Sequence, residues 1–259
     1  MKIPFHKYQA TGNDFILIDN RSDVYSFSVD QIKKLCDRKF GIGADGLILI
    51  EKHPTTDFNL NYYNSDGSQS LCGNGSRAAV QFASTLGIIN GKTSFHAYDG
   101  AHKAELQPTG KICLHMNDVD EVKELDENIF INTGSPHLIC FVDDVQHYPV
   151  FDEGKKLRYD KKFEAQGGTN VNFVELQPNN TIFVRTYERG VENETLSCGT
   201  GVTAAALAAS RHGYSSPITV KTLGGELSVE FEQHSGSSLF SNICLIGPAK
   251  KVFEGIFEF

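Results

Sequence analysis

The feature that most constrains this chain is a short motif that occurs twice. Cys72-Gly73-Asn74-Gly75 and Cys198-Gly199-Thr200-Gly201 lie 126 positions apart, and each opens an Ala-rich stretch that closes on a glycine 15 residues after its cysteine, Gly87 or Gly213. Three further matches fall at nearly the same offset. Tyr63-Asn64 matches Tyr187-Glu188 at 124, the stretch around Gly100 matches that around Gly225 at 125, and Gly12-Asn13-Asp14-Phe15 matches Gly134-Ser135-Pro136-His137 at 122. Four matches in one order describe a unit used twice. The 259 residues have room for two such units, each with its own core. A single α/β domain with coincidental glycines is the bland alternative, and it leaves the shared offset unexplained.

Strand signals dominate the rest: short apolar or alternating runs bounded by Gly, Asn, Asp and Pro. They are 14–19, 46–52, 58–63, 171–177, 181–187, 218–222 and 226–231, with 171–187 reading as a hairpin across Pro178-Asn179-Asn180. Helices are fewer. The segment 28–40 starts on Ser28 with Gln31 three residues on, a capping box, and carries Ile32, Leu35 and Cys36 at helical spacing. The two post-cysteine segments, 73–87 and 199–213, are the others; the second is small and apolar on every face, as a helix buried all round should be. The expected architecture is therefore α+β: two pseudo-symmetric domains, each a strongly curved, mainly antiparallel sheet around one small-residue helix.

Charge narrows the function classes. A net charge of -8 supplies no basic face for nucleic acid or anionic lipid. No run approaches the roughly 18 apolar residues of a membrane span, and MKIPFHKYQA turns polar too early for a signal peptide. The expectation is a cytoplasmic protein with reduced thiols. None of the six cysteines forms a CxxC pair, so no zinc or thioredoxin site is expected. Cys36, Cys113, Cys140 and Cys244 sit among aliphatics and read as inert core residues.

Cys72 and Cys198 differ, because each stands where a helix begins. There the first backbone N–H groups lack intrahelical acceptors and the dipole favours negative charge, which lowers a thiol's pKa. The flanking glycines let a carboxylate approach those amides. One such site suggests a nucleophile. Two, related by duplication, suggest a pair of thiols on opposite faces of one substrate carbon, one taking a proton and the other returning one: a racemase or epimerase that needs no cofactor.

The motifs, taken together, resemble diaminopimelate epimerase along essentially the whole chain. They are Gly12-Asn13-Asp14-Phe15, Gly41-Ile42-Gly43-Ala44-Asp45-Gly46, Asn64-Ser65-Asp66-Gly67-Ser68, Cys72-Gly73-Asn74-Gly75, Tyr187-Glu188-Arg189-Gly190 and Cys198-Gly199-Thr200-Gly201. The resemblance implies two barrel-like domains with a central helix each, 1–117 plus 249–259 and 118–248, an active site between them, and a homodimer. It implies conversion of LL- to meso-2,6-diaminopimelate, on the route to lysine and peptidoglycan precursors, with no cofactor and no metal. Cys198 would accept the α-proton and Cys72 donate one. Backbone amides of Gly73, Asn74, Gly199 and Thr200 would hold the reacting carboxylate. Asn13, Asn64, Asn170, Glu188 and Arg189 would bind the remaining polar groups, with Arg189 at the distal end, and His137 and Glu188 would tune the thiols.

Some positions depart from the pattern. Ser135 stands where the family has Asn before Pro-His, Gly46 replaces a Gln of some members, and the Asn64-to-Cys72 spacing is one residue short. Simpler readings compete at several residues: His137 as a structural histidine, Asn13, Asn64 and Asn170 as turn formers, Arg189 as a surface charge, Arg77 as structural. The formal GxGxxG at Gly41–Gly46 follows a helix and precedes a strand, the reverse of a dinucleotide fingerprint. A cysteine hydrolase using one thiol with His137 leaves the second motif idle. A non-catalytic amino-acid-binding module and a proline or hydroxyproline racemase complete the rivals.

Overall fold

The structure, a computed structural model, describes residues 2–234 and 239–259. The chain divides into two compact units, Met1–Leu114 with Gly247–Phe259 and His115–Ile246. In the first, β1 (Lys2–Ala10), β2 (Asn13–Asp19), α1 (Val29–Cys36), β3 (Gly46–Glu51), β4 (Phe58–Asn64), α2 (Gly73–Thr85), β5 (Lys92–Ala97), β6 (Gly100–Leu106) and β7 (Ile112–His115) follow in order. In the second come β8 (Val122–Leu125), β9 (Asn128–Asn132), β10 (Pro136–Phe141), α3 (Val150–Arg158), β11 (Asn170–Gln177), β12 (Thr181–Glu188), β13 (Asn193–Thr195), α4 (Gly199–Ala209), β14 (Ile218–Thr222), β15 (Gly225–Gln233) and β16 (Phe240–Gly247). The last strand, β17 (Lys250–Glu258), returns to pair antiparallel with β1.

Both units repeat one scheme. β1 pairs antiparallel with β2, β2 parallel with β3, β3 antiparallel with β4, β4 parallel with β5, and β5 antiparallel with β6. In the second unit β9, β10, β11, β12, β14 and β15 pair in that same sequence of directions. A parallel neighbour cannot be reached by a hairpin and needs a crossover. α1 and α3 span the first parallel pair of their units, and α2 and α4 the second. The matched glycines share their backbone as well. Gly12 and Gly134 have φ of +92° and +101°, and Gly100 and Gly225 have +128° and +137°, a region that L side chains avoid.

The two post-cysteine helices occupy the cores. α2 packs against β1, β2, β3, β4 and β6, burying Ala78, Ala79, Val80, Phe82 and Ala83. α4 packs against strands β9 to β12, β14 and β15, and every one of its residues except Thr200 is buried. Side chains of Ala and Gly let strands close on it from several sides, which a Leu-rich helix would prevent.

Several elements differ from expectation. α1 has the full Ser28–Gln31 capping box but stops at Cys36, because the Asp37 carboxylate takes the amides of Lys39 and Phe40 at 2.7 and 2.7 Å. The helix after Cys198 ends at Ala209 and tightens into a 3₁₀ turn over Ser210–His212 before Gly213 at φ +84°. α3 has no counterpart in the sequence reading. It buries only Val150 and Gly154, so it carries little apolar periodicity, although Asp152 and Glu153 at its start and Lys155, Lys156 and Arg158 at its end suit the dipole. Burial pushes the thiols of Cys36 and Cys140 up to about 12, leaving both protonated. Cys113 and Cys244 are disulfide-bonded, which corrects the expectation of reduced thiols throughout; strand placement, not local CxxC spacing, decides such pairing.

Gly154 allows α3 to sit directly on β12. A Cβ there would overlap Tyr187 Cβ and stand 2.8 Å from Tyr187 Cγ, atoms that cannot swing away. In an open helix Gly→Ala gains about 1 kcal/mol. Here overpacking, about 1–3 kcal/mol, opposes it and wins. Gly154→Ala is therefore expected to lower the urea midpoint, and a raised midpoint would contradict this packing.

Candidate active site

In the first unit the site begins at Cys72, the N-cap of α2. Its Sγ accepts the Gly75 amide at 3.4 Å, and its carbonyl receives the first α-type bond, from Ser76 N at 2.7 Å. The amides of Gly73 and Asn74 thus stand ahead of the helix ladder, facing the thiol end. Behind them lies Arg77, with no solvent exposure. Its Nη2 donates to Asn74 Oδ1 at 2.7 Å and Thr11 Oγ1 at 3.1 Å, while its Nε has no hydrogen-bond partner. Burial lowers its pKa to about 10, partly offset by the charge of Cys72, so it stays a cation at neutral pH. A buried cation thus lies close behind the N-cap of α2, within electrostatic reach of Cys72.

Polar side chains continue outward from there. Asn74 Nδ2 donates to Asn13 Oδ1, and Asn13 Nδ2 donates to Asp45 Oδ2 at 3.0 Å. Arg38 bridges Asp45 and Asp14, both at 2.7 Å, and the buried Lys7 reaches Asp14 at 2.8 Å. Burial pushes the Asp14 carboxyl up, but hydrogen bonds and charge from Arg38 and Lys7 outweigh it and hold the value at about 2. Asn64 lies apart from this chain. Its Nδ2 donates to Ser68 O, Ser68 Oγ and Ser70 Oγ at 3.2, 3.0 and 3.1 Å, which shapes the turn through Gly67. At Gly46 a side chain would run into the Tyr62 ring and stand 2.6 Å from the Tyr63 carbonyl, so no longer residue fits this backbone.

In the second unit Cys198 caps α4 with its carbonyl, which accepts Val202 N at 2.8 Å, but its Sγ makes no cap bond of the Cys72 kind. Instead Sγ lies 3.5 Å from Thr200 Oγ1, which is 2.9 Å from His137 Nε2. His137 is fully buried; desolvation, and then the charge of Arg189, lower its pKa to about 3, which favours the neutral ring. Thr133 Oγ1 donates to the Thr200 carbonyl at 2.8 Å, pinning the first turn.

Asn170 stitches two segments together. Its Nδ2 donates to Ser135 Oγ and Pro136 O, both at 2.9 Å, and its Oδ1 accepts Arg189 N at 2.8 Å. Ser135 thus serves as an acceptor for Asn170. The Arg189 guanidinium donates to the carbonyls of Gln166 and Gly168 at 3.0 and 3.5 Å, and Glu188 Oε2 accepts the Thr195 hydroxyl at 2.9 Å.

Within each unit, then, the chain gathers a cysteine, a helix N-terminus and uncommon buried polar side chains. Sequence reasoning did not single out Thr11, Asp45, Arg38, Asn172 or the side-chain role of Thr200. Arg77 was read as structural, yet full burial beside a thiol gives it an electrostatic effect. Asp45 lies inside a motif already noted and Arg38 just ahead of it, and Asn172 lies two residues beyond Asn170; neither signal separates a site residue from a turn or strand residue without coordinates. Among the described residues no group of three or more His, Cys, Asp or Glu is arranged to hold a metal ion. No helix among them is long and apolar enough to cross a membrane.

Comparison with known proteins is consistent along the chain. A family model described as diaminopimelate epimerase matches residues 5–122 and 129–252. The diaminopimelate epimerase of Flavobacterium psychrophilum is 51% identical over 253 residues, covering 96% of this chain and 98% of that one. That of Chlorobaculum tepidum is 42% identical over 257 residues, covering 95% and 98%. Among solved structures, a Bacillus anthracis phenazine biosynthesis protein of the PhzF family superposes with a TM-score of 0.73 at 13% identity, each chain fully covered. A hydroxyproline epimerase from Agrobacterium vitis gives 0.69 at 13%, covering 98% of this chain and 92% of that one. At such identities the likeness is one of fold.

The Asp14 network makes a pH prediction. A carboxyl held at about 2 when folded and near 3.8 when unfolded stabilises the fold above about pH 4 and loses that contribution as pH falls toward 2. Urea unfolding of Asp14→Asn should therefore differ from wild type most above about pH 4, with the gap closing toward pH 2. A gap that stays constant across that range would contradict the ion-pair account.

Proposed function

The chain belongs to the diaminopimelate epimerase family, and on that premise we propose that it interconverts LL- and meso-2,6-diaminopimelate with Cys72 and Cys198 as its acid–base pair. The observation that carries the reading is that both cysteines cap the N-terminus of the central helix in units of the same topology. From the LL isomer, Cys198 as thiolate takes the α-proton and Cys72 as thiol returns one to the opposite face. The domains carrying them are 1–117 with 249–259, and 118–248.

Energetics set what the site must supply. An amino-acid α-proton is roughly 15–20 pKa units less acidic than a thiol, about 20–27 kcal/mol uphill. A turnover of order 10 per second leaves a barrier of about 16 kcal/mol. The difference must come from stabilising the developing enediolate. Amides of Gly73, Asn74, Gly199 and Thr200, each at the positive end of a helix, are suited to a carboxylate gaining charge. Asn13, Asn64, Asn170, Glu188 and Arg189 serve the amino group and the distal end. Several of them act through the bonds described above, Asn13 by orienting Asn74 and Asn170 by holding the Arg189 backbone. His137 and Glu188 tune the thiols. No step calls for a cofactor or a metal. The product feeds lysine and peptidoglycan precursors, and the working form is a cytoplasmic homodimer.

Purified protein given LL-diaminopimelate under reducing conditions, with nothing added, should form the meso isomer. Cys72→Ser and Cys198→Ser should each lower turnover by about 10²–10⁴-fold, the usual worth of a positioned proton-transfer group. Inversion of proline but not diaminopimelate would overturn the substrate assignment. Inversion of neither would overturn the epimerase reading, and binding without turnover would favour a binding module.

A further inference from the structure

The second unit holds a buried polar side chain that the reading above leaves without a role. Asn172 sits on β11, opposite Ile139 of β10 and Thr186 of β12, with no solvent exposure. Its amide orientation is fixed by a group that can only accept: the Leu138 carbonyl lies 3.2 Å from Nδ2. The other end, Oδ1, takes the Thr186 hydroxyl at 2.9 Å. The second Nδ2 hydrogen points to His137 Nδ1 at 3.1 Å. An amide N–H donates, so Nδ1 must present its lone pair, and a neutral imidazole then carries its proton on Nε2.

The consequence runs on to the sulfur. Nε2–H donates to Thr200 Oγ1 at 2.9 Å, which uses one lone pair of that oxygen and leaves its hydrogen for another acceptor. Cys198 Sγ lies 3.5 Å away. With the other tautomer the Thr200 hydrogen would be drawn to Nε2, and a thiolate at Cys198 would lose this donor.

We propose that Asn172 is a positioning residue that locks His137 as the Nε2–H tautomer, so that the Thr200 hydroxyl donates to the Cys198 thiolate. The chain of donors runs one way, from the Asn172 amide through His137 and Thr200 to sulfur, and no proton travels along it. His137 orients a hydroxyl; it does not accept the thiol proton. Its deep burial keeps the ring neutral, and Arg189 is the charged group that acts on it. The glycine at 201 belongs to the same device. A Cβ there would overlap Asn172 Oδ1 and stand 3.2 Å from His137 Cε1, so only glycine lets the helix reach the ring. This deepens the epimerase reading by assigning how one of its thiols is poised, and it rests on Cys198 being a reacting thiol.

Two spectroscopic measurements on the intact protein test it without reference to turnover. Long-range ¹H–¹⁵N correlation, with the His137 signals assigned by their loss in His137→Gln, should show a neutral Nε2–H ring between about pH 5 and 8. An Nδ1–H tautomer or an imidazolium there would overturn the proposal. The ¹³Cβ shift of Cys198 followed against pH reports its thiol directly. Thr200→Val, which keeps the shape and removes the hydroxyl, should raise that midpoint by about one pH unit, a roughly tenfold weaker acid, as befits a lost hydrogen bond to a charged group. Thr200→Ser should restore it. An unmoved midpoint in Thr200→Val, or a serine variant that behaves like valine, would also overturn it. Failure of the protein to act on diaminopimelate leaves both readouts intact, so the two ideas fall separately.

Discussion

Close approach between a helix N-terminus and buried polar side chains is the constraint on which the second unit depends. α4 comes so near β11 that nothing larger than hydrogen fits at Gly201 between it and Asn172. The same contact brings the first turn of α4 against the His137 ring. Such proximity is costly unless the polar atoms enclosed are satisfied, and here Asn172 satisfies Leu138, Thr186 and His137 at once. The small residues along the remainder of α4 serve the same end, since they allow strands to close around it.

The two cysteines begin equivalent helices but are poised by different physics. Cys72 accepts a backbone amide from its own first turn and stands beside Arg77, a cation with no exposure. Its environment is one of charge. At Cys198 a chain of neutral hydrogen-bonding groups leads to the sulfur through Thr200. On the proposed function the two thiols exchange the parts of acid and base, which needs different resting states, and different surroundings are how a duplicated motif can provide them.

Much of this was legible in the sequence because it rests on short-range rules. The capping box at Ser28, the hairpin across Asn179 and Asn180, and the matched glycines at 100 and 225 each follow from local backbone chemistry. The duplication was legible too, since equal offsets survive where identities do not. What escaped depends on tertiary placement. α3 was missed because only two of its residues are buried. The disulfide-bonded state of Cys113 and Cys244 was missed because pairing follows strand positions. Asn172 and Arg77 look ordinary in sequence, and only full burial shows that each must be answered by specific partners. At Asn64 the turn chemistry that the motif also suggested is visible in its hydrogen bonds to Ser68.

The account stands on two separate proton carriers acting on one carbon, and isotope placement tests that most directly. With LL-diaminopimelate in deuterium oxide, stopped at low conversion, the group that removes the proton keeps it while the other delivers a solvent deuteron. Deuterium should therefore appear at the inverted carbon of the meso product while recovered LL substrate stays protiated. Deuterium entering recovered substrate as fast as product, or product that retains the original hydrogen, would show a single carrier and contradict it.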